Sequence, residues 1–218
     1  MPKLVIYTAI SGRYDALKKP KHIIKNADYV CFGKGLKSKI WNIKPFPNKE
    51  VDVVRRARFA KLLPHRLFPD YEISIWLDGS IQIRGDLSEL IEQYLKDHNI
   101  ALCRHGKKRK SLAAEVDACL KKHKDNPKIL RRQLKSYVDV DPKIPVCETG
   151  MLLRRHLSTD VRDAMEDWWV ELTKFSKRDQ ISFPYIVWKH KLRVKVIEMM
   201  VGRNPWTIIN KKKPHRKK

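Results

Sequence analysis

The sequence predicts a mixed α/β protein with helices on both faces of a central sheet. Short β-branched or apolar segments alternate with longer segments of helical period, which is typical of a sheet covered by helices. The chain has 218 residues, 42% of them hydrophobic, which is enough for one domain with a large core or two small ones. No repeat or long linker divides it, and no apolar run approaches the roughly 20 residues of a membrane-spanning helix.

The first half of the chain predicts five strands and two helices. The strands are expected over 4–10, 28–32, 41–46, 73–77 and 81–83, where β-branched and aromatic residues are concentrated. Apolar residues near helical spacing predict a helix over 50–63, which Pro64 ends. A second helix is expected over 86–97. The strand at 73–77 leads directly into Asp78-Gly79-Ser80.

The second half contains a strongly basic segment, residues 104–136, with twelve Lys or Arg and three acidic residues. Its apolar residues keep helical spacing, which predicts two basic amphipathic helices separated near Asn126-Pro127. Strands are expected over 100–103, 150–153 and 193–199. Helices are expected over 161–175 and, despite Pro184, over 181–188. The last residues, 211–218, predict a solvated basic tail.

The charge of the chain restricts the classes of partner. Forty-eight Lys and Arg oppose 24 Asp and Glu, so the net charge is +24. Such a charge favours an anionic partner: nucleic acid, a membrane surface, a nucleotide or an acidic glycan. The four cysteines form no C-x-x-C pair, which argues against a zinc ribbon and favours reduced, buried thiols. The first residues lack the pattern of a signal peptide, so a cytoplasmic location is expected.

Three acidic residues are candidates for chemistry at the carboxyl edge of the sheet. Asp78 ends a buried strand, and one carboxylate there can hold a divalent cation when substrate phosphates supply further oxygens. Asp-Gly is also a common turn dipeptide. Asp179 lies in Arg-Asp-Gln, where a carboxylate beside a sugar can act as a base or stabilise a cationic transition state. Glu148 could supply a second carboxylate, although either acid could simply stabilise its own loop.

Several basic residues are candidates for phosphate binding. Arg55, Arg56, Arg58 and Lys61 lie close together on one predicted helix. Arginine binds phosphate bidentately, although for any single one of them a solvated helix face is the better explanation. The loop 11–15 follows the first strand, so it is expected at the same edge of the sheet as Asp78.

The order of these motifs resembles the TOD1/MUCI70 glycosyltransferase-like domain family, once called a domain of unknown function (DUF616). The resemblance covers about residues 4 to 190 and follows the family's order. The matching stretches are Tyr7-Thr8-Ala9-Ile10-Ser11-Gly12-Arg13-Tyr14-Asp15, Arg55-Arg56-Ala57-Arg58, Leu63-Pro64-His65-Arg66-Leu67-Phe68-Pro69, Ser74-Ile75-Trp76-Leu77-Asp78-Gly79-Ser80, Glu148-Thr149-Gly150, Trp168-Trp169 and Arg178-Asp179-Gln180-Ile181-Ser182-Phe183.

The resemblance implies a single-domain, GT-A-like (Rossmann-like) fold over residues 1–203, with 104–136 as a basic helical insertion and 204–218 as a basic tail. It implies two sets of site residues. The donor-binding set is Thr8, Tyr14, Asp15, Arg55, Arg56, Lys61, Asp78, Gly79 and Ser80. The catalytic set is Asp179, Gln180 and Glu148.

Glycosyltransferases of this kind hold a divalent cation, Mn²⁺ or Mg²⁺, with an Asp-x-Asp motif. Here the motif reads Asp78-Gly79-Ser80, so its second Asp is missing and Asp78 is the one metal-ligand candidate. Basic residues could neutralise the donor diphosphate instead. The resemblance therefore leaves open whether the reaction depends on a metal.

The function expected from the resemblance is transfer of a sugar from a nucleotide-sugar donor, a UDP-sugar, to a glycan, lipid or other acceptor. An alternative is a basic protein that binds nucleic acid or another polyanion on a degenerate glycosyltransferase fold. Peripheral contact with an anionic membrane is a further expectation. A ceramidase-like hydrolase ranks last, because the sequence has neither a G-x-S-x-G elbow nor an H-E-x-x-H helix.

Overall fold

A computed structural model of the chain describes residues 3–11, 15–48, 50–106 and 111–209. Strands and helices alternate along it, as the sequence predicts. In chain order they are β1 (Leu4–Ala9), β2 (Ala27–Phe32), β3 (Asn42–Lys44), α1 (Val53–Leu62), α2 (Pro64–Leu67), β4 (Ile73–Leu77), β5 (Ile81–Ile83), α3 (Ser88–Tyr94), β6 (Ile100–Arg104), α4 (Leu112–Lys121), α5 (Pro127–Ser136), β7 (Cys147–Arg154), α6 (Thr159–Lys174), α7 (Asp179–His190), β8 (Val194–Ile197) and β9 (Thr207–Ile209).

Seven strands form the central sheet in the order β3-β2-β1-β4-β7-β6-β8. β7 pairs antiparallel with β4 and with β6, while the other neighbouring strands pair parallel. The carboxyl ends of β1, β4 and β6 and the amino end of β7 therefore lie at one edge. The predicted mixed α/β class is confirmed, and this edge is where ligands bind in such sheets.

Side chains alternate between the two faces of the sheet and form two apolar layers. On one face, Tyr7, Trp76 and Leu152 pack with residues of α1, α6 and α7. On the other face, Ile6, Ile75 and Leu153 pack with α3 and with the small sheet of β5 and β9. The helices of the first layer carry the basic and acidic residues discussed below.

The basic segment forms two helices, as predicted. Asn126 caps α5, since its Oδ1 accepts a hydrogen bond from Lys128 N at 2.9 Å, and Pro127 occupies the first turn. α4 and α5 enclose a small core with Ile181 of α7, so the insertion is joined to the helix that begins at Asp179. Residues 107–110 of this segment lie outside the described ranges.

Several predicted elements have other bounds in the structure, and two of the differences concern β7 and β9. The strand predicted over 150–153 extends over Cys147–Arg154. The tail predicted from residue 204 begins with ordered structure: Trp206 is buried, and its Nε1 donates to Glu89 at 2.7 Å. Thr207–Ile209 then pairs with β5. Sequence gives little signal here, because a three-residue strand is too short to show alternation.

The cysteines agree with the sequence-based expectation. All four cysteines are free and buried, as predicted. None of the helices in the described ranges has the length and apolar character needed to cross a membrane.

Candidate active site

Four charged side chains meet at the carboxyl edge of the sheet. Arg58 and Lys61 come from α1, Asp78 follows β4, and Asp179 begins α7. Lys61 Nζ lies 3.3 Å from Asp78 Oδ1 and also contacts Asp179 Oδ2. Arg58 lies 3.5 Å from Asp179 and 3.9 Å from Asp78. Each cation thus contacts both carboxylates.

The backbone and Trp76 fix the position of Asp78. Asp78 N donates to the carbonyl of Gly150 on the neighbouring strand at 2.8 Å, which continues the ladder between β4 and β7. Trp76 Nε1 donates to Asp78 Oδ1 at 2.8 Å. A carboxylate at the tip of a buried strand therefore has a fixed orientation before any ligand binds.

Asp179 is a buried carboxylate that stays ionised. Thr149 Oγ1 donates to its Oδ2 at 3.0 Å, and the side chain is 3% exposed. Burial alone would raise the pKa of Asp179, but the charges of Arg58 and Lys61 outweigh burial and hold the pKa well below its usual range. Its position in the first turn of α7 also favours a negative charge.

A hydrogen-bonded chain behind the site holds the backbone of Lys61. Tyr7 OH donates to the carbonyl of Lys61 at 3.1 Å, and the guanidinium of Arg154 donates to Tyr7 OH. Burial raises the pKa of Tyr7 to about 12, so the phenol remains a neutral donor. Lys61 itself is fully buried. Lys61 is therefore fixed at both ends: its carbonyl accepts a hydrogen bond from Tyr7, and its ammonium contacts Asp78 and Asp179.

A cleft of about 250 Å³ opens beside the charged cluster. Its lining comes from β1, α1 and β4 and the loops after them: Ala9, Ser11, Asp15, Val54, Ala57, Arg58, Trp76, Asp78, Gly79 and Ser80. A second cavity of about 900 Å³ lies at the ends of β2 and β3 and includes Lys34, Lys44 and Arg56. Ile10 of that cavity directly precedes Ser11 of the cleft.

The structure brings most of the predicted donor-binding residues to this edge. Asp15, Asp78, Gly79 and Ser80 line the cleft. Lys61 contacts both carboxylates of the cluster.

Two predicted arginines lie apart from the cluster. Arg55 donates to the carbonyls of Leu172 and Phe175 at 3.2 and 3.0 Å, so it anchors α1 to the end of α6. Arg56 donates to the carbonyl of Val51 at 2.9 Å and lines the second cavity.

The remaining predicted residues are placed differently. Thr8 is buried on the sheet face opposite Tyr7. Glu148 accepts a hydrogen bond from Val201 N at 2.7 Å and holds the turn after β8, so it does not join Asp179. Gln180 follows Asp179 in α7, and its Nε2 donates to the carbonyl of Cys147 at 3.4 Å. Tyr14 lies outside the described residues.

Sequence reasoning left Trp76 and Thr149 out of the site, and it named Arg58 only as one of four phosphate-binding candidates on its helix. In the antiparallel pair of β4 and β7, Leu77 lies opposite Met151, and Thr149 is two residues before Met151. This direction of β7 places the Thr149 hydroxyl at the edge of the sheet where it contacts Asp179. Helical spacing from Lys61 could have selected Arg58 among these four, because it lies three residues earlier on the same helix.

The carboxylate oxygens of the cluster suit a cation of the protein better than a metal ion. Asp78 Oδ1 contacts Lys61, Arg58 and the indole of Trp76, and both oxygens of Asp179 contact cations. In the part of the chain that the structure describes, no group of three or more His, Cys, Asp or Glu could hold a metal ion. Three of the four carboxylate oxygens of Asp78 and Asp179 thus already contact cations of the protein, which leaves few ligands for a divalent cation.

Comparison with known proteins yields two curated relatives. The chain is 29% identical over 214 residues to the probable hexosyltransferase MUCI70 of Arabidopsis thaliana, covering 83% of this chain and 36% of that protein. It is 24% identical over 223 residues to alkaline ceramidase TOD1 of Arabidopsis thaliana, covering 84% of this chain and 48% of that protein. The chain thus spans about a third to a half of the length of these relatives.

Solved structures with a similar chain path include three glycosyltransferases, each at a TM-score of 0.49. The bifunctional glycosyltransferase WbbM is 14% identical, with 90% of this chain and 38% of that chain covered. Mouse xyloside xylosyltransferase 1 is 14% identical, with 90% and 84% covered. The galactosyltransferase LgtC is 11% identical, with 88% and 72% covered.

The family model for the TOD1/MUCI70 glycosyltransferase-like domain matches residues 34–215, well over half of the chain. The match includes Arg58, Lys61, Asp78 and Asp179, whose side chains form the charged cluster. The resemblance stated from the sequence motifs is thereby confirmed, and the chain belongs to the TOD1/MUCI70 glycosyltransferase-like domain family.

Proposed function

We propose that the chain is a glycosyltransferase that takes a sugar from a nucleotide-sugar donor, a UDP-sugar, and transfers it to an acceptor hydroxyl. The observation that carries the proposal is the charged cluster of Arg58, Lys61, Asp78 and Asp179 beside the cleft at the carboxyl edge of the sheet. Family membership and the hexosyltransferase relative support the same reaction class.

The donor would extend across the two neighbouring cavities. The nucleoside fits the larger cavity at the ends of β2 and β3, where Lys34, Lys44 and Arg56 provide positive charge near apolar Ile43 and Phe46. The diphosphate would lie towards the smaller cleft, within reach of Arg58. The sugar would then lie beside Asp78 and Ser80.

The chemistry exchanges one bond at the anomeric carbon for another. The bond from that carbon to the diphosphate oxygen breaks with its electron pair, a bond to the acceptor oxygen forms, and the acceptor proton passes to the departing diphosphate. Negative charge builds up on the leaving diphosphate, where fixed cations lower the barrier most. The Asp78 carboxylate, which lines the cleft, would stabilise positive charge on the sugar in the transition state, and the buried, ionised Asp179 would hold Arg58 and Lys61 in place.

A thermal-shift screen of nucleotides and nucleotide sugars tests the donor class. A ligand that binds the folded state stabilises it by about 2.7 kcal/mol at 100 times its dissociation constant. A UDP compound is expected to raise the melting temperature. If no nucleotide does so, the proposed donor site is wrong.

Transfer assays with that donor test the residues. Asp179→Asn and Asp78→Asn keep the shape of the side chain and remove its charge, so both are expected to abolish transfer in a folded protein. Asp163→Asn is the matched control, because Asp163 pairs with Arg162 at the surface. Full activity in both site variants would refute the assignment.

Binding to a polyanion is a second candidate function, favoured by α5. This helix exposes Lys128, Arg131 and Lys135 and contains no acidic residue. Binding through such charges weakens steeply as salt concentration rises. Salt-sensitive binding of oligonucleotides, together with no response to nucleotides, would favour this function over glycosyl transfer.

A further inference from the structure

The position of Lys61 carries an inference that rests on the proposed function and deepens it. A divalent cation in a nucleotide-sugar site has to bind protein carboxylates and donor phosphates together. Here an ammonium lies between the two carboxylates, 3.3 Å from Asp78 Oδ1 and in direct contact with Asp179. The place where the two acids could share a metal ion is therefore filled by a side chain of the protein.

We infer that Lys61, with Arg58 beside it, is the built-in cation of this site, and that the donor diphosphate binds without a divalent metal. A lysine ammonium carries a compact charge that can contact two anions at once. Arg58 adds a guanidinium, which binds phosphate oxygens in a fixed geometry. Both cations are present before the donor arrives.

Burial makes the Lys61 ammonium hard to displace. Its side chain is fully buried, and its nitrogen lies 5.8 Å above the ring of Trp76. A metal ion entering between the acids would have to expel this ammonium, while Tyr7 holds the Lys61 carbonyl in place. It would also meet the positive charge of Arg58, 3.5 Å from Asp179.

The contacts of Lys61 argue against a metal ion more strongly than the missing second Asp of the Asp-x-Asp motif does. Ser80 stands where the second Asp of an Asp-x-Asp motif would be, and it lines the cleft. Lys61 joins Asp78 instead to Asp179 of α7. In this chain the acidic pair therefore binds a lysine side chain.

A titration with Mn²⁺ alone tests whether Lys61 occupies the space between the two acids. The electron paramagnetic resonance signal of free Mn²⁺ measures how much of the ion is bound. The unmodified protein is expected to leave the signal unchanged. Lys61→Ala empties the space between the acids and is expected to bind Mn²⁺ at least about tenfold more tightly than the unmodified protein. Adding Asp179→Asn to Lys61→Ala should abolish that binding.

The matched control is Lys189→Ala, which removes a lysine paired with Asp167 at the surface, at 2.6 Å. It should not create a Mn²⁺ site. Tight Mn²⁺ binding by the unmodified protein would overturn the inference, as would a folded Lys61→Ala variant that ignores Mn²⁺. If Lys61→Ala does not fold, the titration of the unmodified protein still decides.

Binding of UDP, measured by calorimetry in EDTA and in Mn²⁺, tests the role of the cations. The affinity is expected to agree within about twofold between the two conditions, and a tightening of about tenfold or more with Mn²⁺ would overturn the inference. The metal titration needs no nucleotide, so it can succeed even if the proposed function fails. Absence of UDP binding in both conditions would refute the donor site, not the place of the cation.

Discussion

Replacing Tyr7 with Phe would separate the backbone support of Lys61 from the packing around it. The substitution deletes one oxygen atom, which accepts a hydrogen bond from Arg154 and donates one to the Lys61 carbonyl. The ring contacts with Phe68 and Trp76, at centroid distances of 5.0 and 5.2 Å, would remain in Tyr7→Phe. Any loss of stability therefore reports the two hydrogen bonds.

Both groups left behind are buried, so the loss should be large. A hydrogen bond to a charged donor such as Arg154 contributes about 1.5–3 kcal/mol, and a bond to a carbonyl contributes about 1 kcal/mol. Arg154 is fully buried and would lose a partner for its charge. The sum predicts a loss of about 3 kcal/mol, which for a chain of this length lowers the melting temperature by roughly 6–12 °C.

Urea unfolding and thermal unfolding of Tyr7→Phe measure this loss. Tyr71→Phe is the matched control, because Tyr71 OH donates to Asp28 at 2.6 Å at the surface, where a loss under about 1 kcal/mol is expected. Transfer should also slow in Tyr7→Phe, since the Lys61 ammonium is no longer held from behind. If Tyr7→Phe and Tyr71→Phe are equally stable, the supporting role of Tyr7 is wrong.

Three further predictions concern stability. Burial lowers the pKa of His156 to about 4, so between pH 6.5 and 4 the unfolded chain takes up a proton that the folded chain does not. The free energy of unfolding should therefore fall as the pH falls through this window. Urea titrations of His156→Gln at several pH values should show a weaker dependence of this free energy on pH. Leu130→Ala removes a fully buried side chain between α4, α5 and α7 and should cost about 2–4 kcal/mol in the same titrations. Truncation after Ile209 should leave the melting temperature unchanged, whereas truncation after Arg203 removes Trp206 and the partner of β5 and should lower it clearly. Equal melting temperatures would support the predicted boundary at 203.

The strands at the centre of the sheet were predictable because both of their faces are buried. β1 and β4 are buried at every position, which produces short continuous apolar runs. The helix beginning at Val53 was predictable from apolar spacing, and Asp52 caps it with hydrogen bonds to Val54 N and Arg55 N. These features are local, so the sequence displays them directly.

Strand direction and partners were not predictable in the same way. Nothing local in Cys147–Arg154 says that β7 runs against β4 and β6, because direction depends on the path of the 40 or so residues between the strands. The direction of β7 nevertheless decides which side chain reaches Asp179. With this direction, Thr149 contacts Asp179, whereas Glu148 accepts a hydrogen bond from Val201 N in the turn after β8.

For the basic residues of α1, the sequence identified the right helix but did not show which of its four candidates meet the carboxylates. Successive residues of a helix are about 100° apart, so Arg58 lies roughly 60° around the axis from Lys61, whereas Arg55 and Arg56 lie roughly 120° and 140° away. Two of these residues therefore share the face that meets Asp78 and Asp179. Arg55 faces the end of α6 and Arg56 the neighbouring cavity. The number of basic residues indicated the helix, but the helical angle selects the two whose side chains contact Asp78 and Asp179.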